Sequence, residues 1–97
     1  PGCIGVYIQP IENAAGAHVE FNFYFDPGDA GQVSALRRAY PAAVDAVLDL
    51  EAHFTRPYNR IVADRAYEKA ASYTALLKQT KAIFDPNHIM NPGKLCF

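Results

Sequence analysis

Two side chains on one predicted strand could carry proton transfer or metal binding. His18 and Glu20 lie two apart in residues 18–25, where polar and apolar residues alternate. Alternate residues of a strand point to the same face, so the imidazole and the carboxylate would lie side by side. Such a pair suits proton transfer or the binding of a metal ion. The solvated face of an antiparallel sheet shows the same alternation, so both interpretations stay open.

The last fourteen residues, 84–97, have the composition of a helix end followed by two turns. Pro86 lacks an N–H and disfavours helical geometry at the preceding residue, so a helix should end at about Phe84. The segment Asn91–Lys94 has proline and glycine where a type II turn prefers them. These turns would fix a run of backbone amides and one cation, Lys94. Ordinary turns that only tie down a terminus are the alternative.

The order and spacing of these motifs resemble the C-terminal signature of the FAD-linked oxidase family. Branches of this family include vanillyl-alcohol oxidase, p-cresol methylhydroxylase, glycolate oxidase and D-lactate dehydrogenase. Its members commonly end in Lys, a few residues and Asp-Pro-Asn, followed by Asn-Pro-Gly-Lys or a close variant. Here the match is Lys81–Asn87 followed by Asn91–Lys94. The resemblance covers about residues 50–97, whereas the first half is similar only in pattern.

The resemblance implies FAD as the cofactor of the complete protein and an FAD-binding domain, in the same or a partner chain, as its partner. No glycine-rich pyrophosphate loop occurs in these 97 residues, so this chain alone should bind FAD weakly or not at all. Asn91 and Lys94 become candidates to contact the flavin by hydrogen bond and charge. His18 becomes a catalytic candidate because the metal-dependent hydroxy-acid branch carries a histidine motif on the corresponding strand. The later Glu-His-Gly of that branch is missing here, so no metal site is predicted.

The resemblance also implies a substrate-binding role for the segment Phe54–Arg60. In the phenol-oxidising branch, a Tyr-Arg pair at this distance before Asp-Pro-Asn binds the substrate phenolate. Arg56 matches that arginine, Thr55 replaces the tyrosine, and Tyr58 is a displaced substitute. A guanidinium can hold a phenolate or carboxylate through two contacts and can stabilise negative charge as hydride leaves. The alternative is a surface arginine in a proline-containing loop.

The composition of the chain excludes several classes of protein. With 51% hydrophobic and 20% charged residues the chain is globular, and a net charge of −1 argues against a broad basic surface for nucleic acid. No apolar run is long enough to span a membrane and no signal peptide is visible, so we expect a cytoplasmic protein. Cys3 and Cys96 lack metal-like spacing and are expected to be free thiols. The start at Pro1-Gly2, without an initiator Met, is expected of a segment from a longer protein.

Strands should position the residues of the first half of the chain. The β-branched stretch Ile4–Ile11 and the alternating stretch His18–Phe25 predict an antiparallel pair. The apolar face of the second strand should pack against a helix that begins near Ala30, capped by Asp29 with a contribution from Gln32.

Helices should position the residues of the second half. Pro41 predicts a kink or restart of the first helix, and Asp64 is expected to cap a further helix that breaks near Ser72. The fold class predicted is α+β, a partial ferredoxin-like sandwich followed by helices and a turn-rich tail. Residues 1–54 would form part of a substrate (cap) domain, and residues 55–97 a helical segment whose tail borders the flavin.

Two functions from different classes follow. One is the C-terminal part of an FAD-dependent oxidoreductase that removes a hydride from a 2-hydroxy acid, a para-substituted phenol or a benzylic alcohol. In it, Arg56 would anchor the anionic group, and His18 and Tyr58 would assist proton movement. The other is a stand-alone ferredoxin-like module without catalysis, which binds a small molecule or pairs its sheet with a partner protein.

Overall fold

The computed structural model describes residues 3–97, and the expectation for Pro1 and Gly2 lies outside them. The described residues form a two-stranded antiparallel sheet and three α-helices, which confirms the α+β class. The elements in chain order are β1 (Ile4–Ile11), β2 (Gly16–Phe23), α1 (Ala30–Asp49), α2 (Arg60–Lys69) and α3 (Ala71–Phe84). Two compact units divide the chain, residues 1–40 and 41–97, and each is described by itself. The ferredoxin-like arrangement stays a prediction.

The first unit is built around a β-hairpin whose register follows the alternation of the sequence. Val6 pairs with Phe21 and Tyr7 pairs with Glu20, so apolar residues face apolar ones and polar residues share the other face. The β1 bounds agree with the prediction, but β2 ends at Phe23 rather than Phe25. The cause is the partner strand, because Phe23 already pairs with the first residue of β1, Ile4.

The apolar face of the hairpin is exposed, contrary to the expectation that the helix from Ala30 covers it. Phe21 is 51% exposed and Phe25 is 45% exposed. The apolar residues of β1 that pair with β2 are exposed as well, and Ile8 reaches 62%. Alternation shows which side of a strand is apolar, but the element that buries this side is decided by tertiary structure. We name this surface the apolar hairpin face; it consists of Ile4, Val6, Ile8, Val19 and Phe21.

The start of α1 agrees with the predicted cap. Oδ1 of Asp29 accepts hydrogen bonds from the backbone N–H of Gln32 (3.1 Å) and Gly31 (2.8 Å). These donors, with the Gln32 side-chain amide on Oδ2, hold the pKa of Asp29 below its ordinary value. The Gln32 side chain departs from a capping box, because its oxygen accepts from the backbone N–H of Asp26 (3.0 Å). The helix continues through Pro41 and does not restart there, so of the two predicted alternatives only the kink stays a prediction.

The second unit has a small core where α1 and α2 bury apolar side chains. Its buried members are Val44, Leu48, Val62 and Ala63. Helix α2 begins at Arg60, because Oδ1 of Asn59 accepts from the backbone N–H of Ile61 (2.8 Å). The predicted start at Asp64 is wrong.

A break separates α2 from α3 close to the position that the sequence predicts. Asp64 lies inside α2, and its carboxylate forms an ion pair with Arg60 at 2.9 Å. It therefore does not cap a helix. The break lies at Ala70, where ψ is 47°, two residues before the predicted Ser72.

Removing Leu48 tests this core. Its side chain is 8% exposed, so Leu48→Ala should lower the free energy of unfolding by about 2–4 kcal/mol, through lost burial and the cavity that remains. Leu50, two residues later, is 82% exposed and is the matched control. Leu50→Ala should change the free energy of unfolding by less than about 0.5 kcal/mol. Urea unfolding of the purified protein measures both. Equal losses in the two variants would contradict the assigned core.

Candidate functional site

The polar face of the hairpin brings His18 and Glu20 together as the alternation predicts. Nε2 of His18 lies 3.0 Å from Oε1 of Glu20, and both side chains are partly exposed. The ring of Tyr7 meets the imidazole edge to face, with 6.5 Å between ring centroids. The Tyr7 hydroxyl donates to Oε1 of Gln9 at 3.3 Å. A carboxylate that orients an imidazole is an arrangement suited to accepting a proton from a bound molecule.

A second tyrosine, Tyr24, lies on this face, where the alternation of residues 18–25 also places it. The ring of Tyr24 covers Gly5 so closely that a Cβ atom at Gly5 would lie 3.0 Å from the ring carbon. A glycine inside a strand often marks such a close approach. Tyr24 is 63% exposed, so its hydroxyl remains available at the edge of the polar face.

The loop between α1 and α2 carries the two other catalytic candidates. Arg56 and Tyr58 are both exposed, and the backbone N–H of Tyr58 donates to the carbonyl of Arg56 at 2.8 Å, which closes a tight turn. Their neighbours Thr55 and Pro57 line a cleft of about 480 Å³ that also contains the aromatic ring of Tyr67. Within residues 3–97 the Arg56 guanidinium forms no ion pair. It is therefore free to hold an anionic group.

The tail after α3 is organised by one buried carboxylate. The Asp85 side chain is 3% exposed, and its two oxygens accept from the backbone N–H of Ile89 (2.9 Å) and Met90 (3.0 Å) and from Nζ of Lys81 (2.5 Å). The ammonium of Lys81 and the two backbone amides lower the pKa of Asp85 to about 2. The carboxylate therefore stays ionised at physiological pH and holds the loop against the end of the helix.

Lys81 connects the same carboxylate to the rest of the tail. Its Nζ also donates to the carbonyl of Met90 (2.7 Å) and lies 5.2 Å from the centre of the Phe97 ring. The side chain is only 12% exposed. We call this pair, Lys81 and Asp85, the tail lock. A helix that ends at Phe84, as predicted, places its two members one turn apart.

The tail lock leads into the turn that carries the cofactor candidates. Gly93 has φ of 72°, the left-handed value that the third position of a type II turn requires. Asn91 also has positive φ, at 48°. Asn91 and Lys94 are exposed, and the Lys94 ammonium has no partner among residues 3–97. In the preceding turn His88 has a positive φ of 53°.

The donor set of this turn fits a flavin. A free ammonium and an exposed amide can bind the electron-rich carbonyl edge of an isoalloxazine ring or a phosphate group. A Cβ atom built on Gly93 would meet nothing within 4 Å, so the backbone there is open to a close approach.

The described part of the chain contains neither a cluster of metal ligands nor a membrane-spanning helix. No group of three or more His, Cys, Asp or Glu side chains could hold a metal ion there. No helix among residues 3–97 is both long enough and apolar enough to cross a membrane. Cys3 and Cys96 are free thiols, as expected.

Comparison with known proteins supports the interpretation of the tail. No curated protein and no solved structure matches the chain. One family model does match, over about a third of the chain, and its range contains the tail lock and the turn with Asn91 and Lys94. This family domain implies FAD as the cofactor of the complete protein and association with an FAD-binding domain. Residues 63–95 thus match the C-terminal domain of the FAD-linked oxidases.

Proposed function

We propose that this chain supplies part of the substrate domain and the C-terminal tail of an FAD-dependent oxidoreductase. The observation that carries the proposal is that the family match falls on a tail shaped by a buried lock, with an unpaired Lys94 beyond it. A bound flavin supplies a hydride acceptor. Lys94 and Asn91 border it, and the Lys94 ammonium stabilises negative charge on the ring system.

In this proposal Arg56 binds the anionic group of the substrate. Its guanidinium is exposed and forms no ion pair within residues 3–97, so no internal carboxylate competes for it. Two parallel N–H donors match a carboxylate or a phenolate, the groups carried by a 2-hydroxy acid and a para-substituted phenol. Holding this group fixes the position of the carbon from which the hydride leaves.

For a substrate with a hydroxyl on the reacting carbon, His18 accepts the hydroxyl proton as the hydride leaves that carbon, and the product is a carbonyl compound; a phenolate that loses a benzylic hydride gives a quinone methide and needs no such base. Its contact with Glu20 supports this role, because a carboxylate partner stabilises the imidazolium that forms. Tyr58 is 78% exposed beside Arg56 and provides a second hydroxyl for proton movement. A benzylic alcohol fits the same scheme, since it carries a hydroxyl on the reacting carbon.

The test is the visible spectrum of the complete protein encoded by the gene. We expect flavin absorption bands, and we expect them to bleach without oxygen when a 2-hydroxy acid or a para-substituted phenol or benzylic alcohol is added. If compounds of a single class bleach the flavin, that class contains the substrate. A complete protein without a flavin loop in its sequence and without flavin bands would contradict the proposal.

A second candidate function is a non-catalytic module that binds a partner protein. The observation that favours it is the apolar hairpin face, because large exposed apolar surfaces mark interaction sites. The gene separates the two candidates. A reading frame that begins just before Pro1 and has no flavoprotein neighbour supports the module, whereas a glycine-rich flavin loop upstream supports the enzyme.

A further inference from the structure

The tail lock joins five groups at one point of the chain. The Asp85 carboxylate receives three hydrogen bonds, two of them from consecutive backbone amides, and Lys81 returns a fourth contact to the Met90 carbonyl. Both side chains are largely buried, so these bonds are not exchanged freely for bonds to water.

The lock determines where the next turn begins. Met90 is held at its N–H by Asp85 and at its carbonyl by Lys81, and Asn91 follows directly. Beyond the lock Asn91, Gly93 and Lys94 are exposed, and the Lys94 carbonyl accepts a hydrogen bond from the backbone N–H of Phe97 at 2.9 Å. Gly93 lacks any neighbour within 4 Å of a Cβ position. The Phe97 ring in turn lies 5.2 Å from the Lys81 ammonium, so the backbone on both sides of Lys94 is connected to the lock.

We propose that Lys81 and Asp85 are positioning residues that place the Lys94 ammonium against the flavin and so set its reduction potential. The inference rests on the proposed function. It adds the residues that hold the Lys94 ammonium in position. Lys81 acts through Lys94, because its own ammonium is occupied by the Asp85 carboxylate and the Met90 carbonyl.

A double-mutant cycle on the flavin-loaded complete protein tests this, with the midpoint potential of the flavin as the readout. Lys94→Met should lower the midpoint potential, because a cation that stabilises the reduced flavin is lost. Lys81→Met should lower it in the same direction. The double variant should show no larger shift than Lys94→Met alone, since residues that act through one another are not additive.

Lys78→Met is the matched control, since Lys78 lies one turn earlier on α3 and is exposed. It should leave the midpoint potential unchanged. Amide hydrogen exchange gives a second readout that does not involve the flavin. The amides of Ile89 and Met90 should be protected in the wild-type protein and should exchange at least about 10-fold faster in Lys81→Met.

The outcomes separate this inference from the proposed function. A complete protein that contains no flavin would contradict both the proposed function and the positioning role. Flavin bands with a wild-type potential in Lys81→Met, or with independent shifts that add in the double variant, overturn the positioning role and leave the proposed function intact. A Lys94→Met variant with the wild-type midpoint potential also overturns the positioning role. If Lys81→Met does not fold, unprotected Ile89 and Met90 amides in the wild-type protein overturn it, and protected ones support it.

Discussion

Arg56→Ala should lower kcat/KM of the flavin-loaded enzyme by about 10²–10³-fold, the loss expected when a charged group that stabilises the transition state is removed. The Arg56 guanidinium is exposed and has no ion pair within residues 3–97, so its removal leaves no buried charge unpaired. The thermal unfolding temperature should therefore stay within about 1–2 °C of the wild type. Steady-state kinetics with the substrate that bleaches the flavin, together with a thermal scan, measures both effects.

Two further variants make the Arg56 result specific. Arg56→Lys keeps the charge but loses the two-point contact, so about a tenth of the wild-type kcat/KM should remain. Arg37, another exposed arginine without an ion pair in the described chain, is the control, and Arg37→Ala should leave kcat/KM unchanged. Unchanged turnover and substrate affinity in Arg56→Ala would remove Arg56 from the mechanism.

Asp85→Asn should release the tail while α3 remains helical. The substitution removes the charge that holds Lys81, and one of the two carboxylate oxygens becomes an amide group, which cannot accept from the backbone N–H of Ile89 or Met90 that it faces. We expect the thermal unfolding temperature to fall by about 5 °C or more and the protection of the Ile89 and Met90 amides to be lost. Asp49→Asn is the control, because the Asp49 side chain is 85% exposed and its nearest cation, Lys69, lies 3.8 Å away.

The same carboxylate sets a pH dependence. Because the Lys81 ammonium and two backbone amides lower the pKa of Asp85 from 3.8 to about 2, its ionised form stabilises the folded protein. This contribution is fully present above about pH 4 and is lost as the pH falls through the folded pKa. The stability difference between wild type and Asp85→Asn should therefore shrink between about pH 4 and pH 2. A difference that stays constant across this window would contradict the assignment.

The features that could be predicted from sequence are those controlled by local chemistry. Pro86 ends α3 at Phe84, and alternation gives the strand faces and the His18–Glu20 pair. The Pro-Gly step gives the left-handed turn at Gly93. Each depends on steric or pairing rules that act within a few residues.

The features that were missed depend on competition between distant or alternative partners. Asn59 caps α2 although Asp64 is an equally good capping residue by type. The tail lock was not foreseen, because residue types do not show that a carboxylate at a helix end will fold back onto two later amides. The exposed hairpin face shows the same limit, since alternation identifies an apolar surface without its partner.

The apolar hairpin face has a consequence for the order of assembly. A hairpin of only two strands is marginally stable in water unless a third element covers its apolar side. In the described residues that side stays open, whereas residues 41–97 bury side chains of their own. Residues 41–97 can therefore fold first around their own buried side chains, whereas nothing within residues 3–40 buries the apolar side of the hairpin.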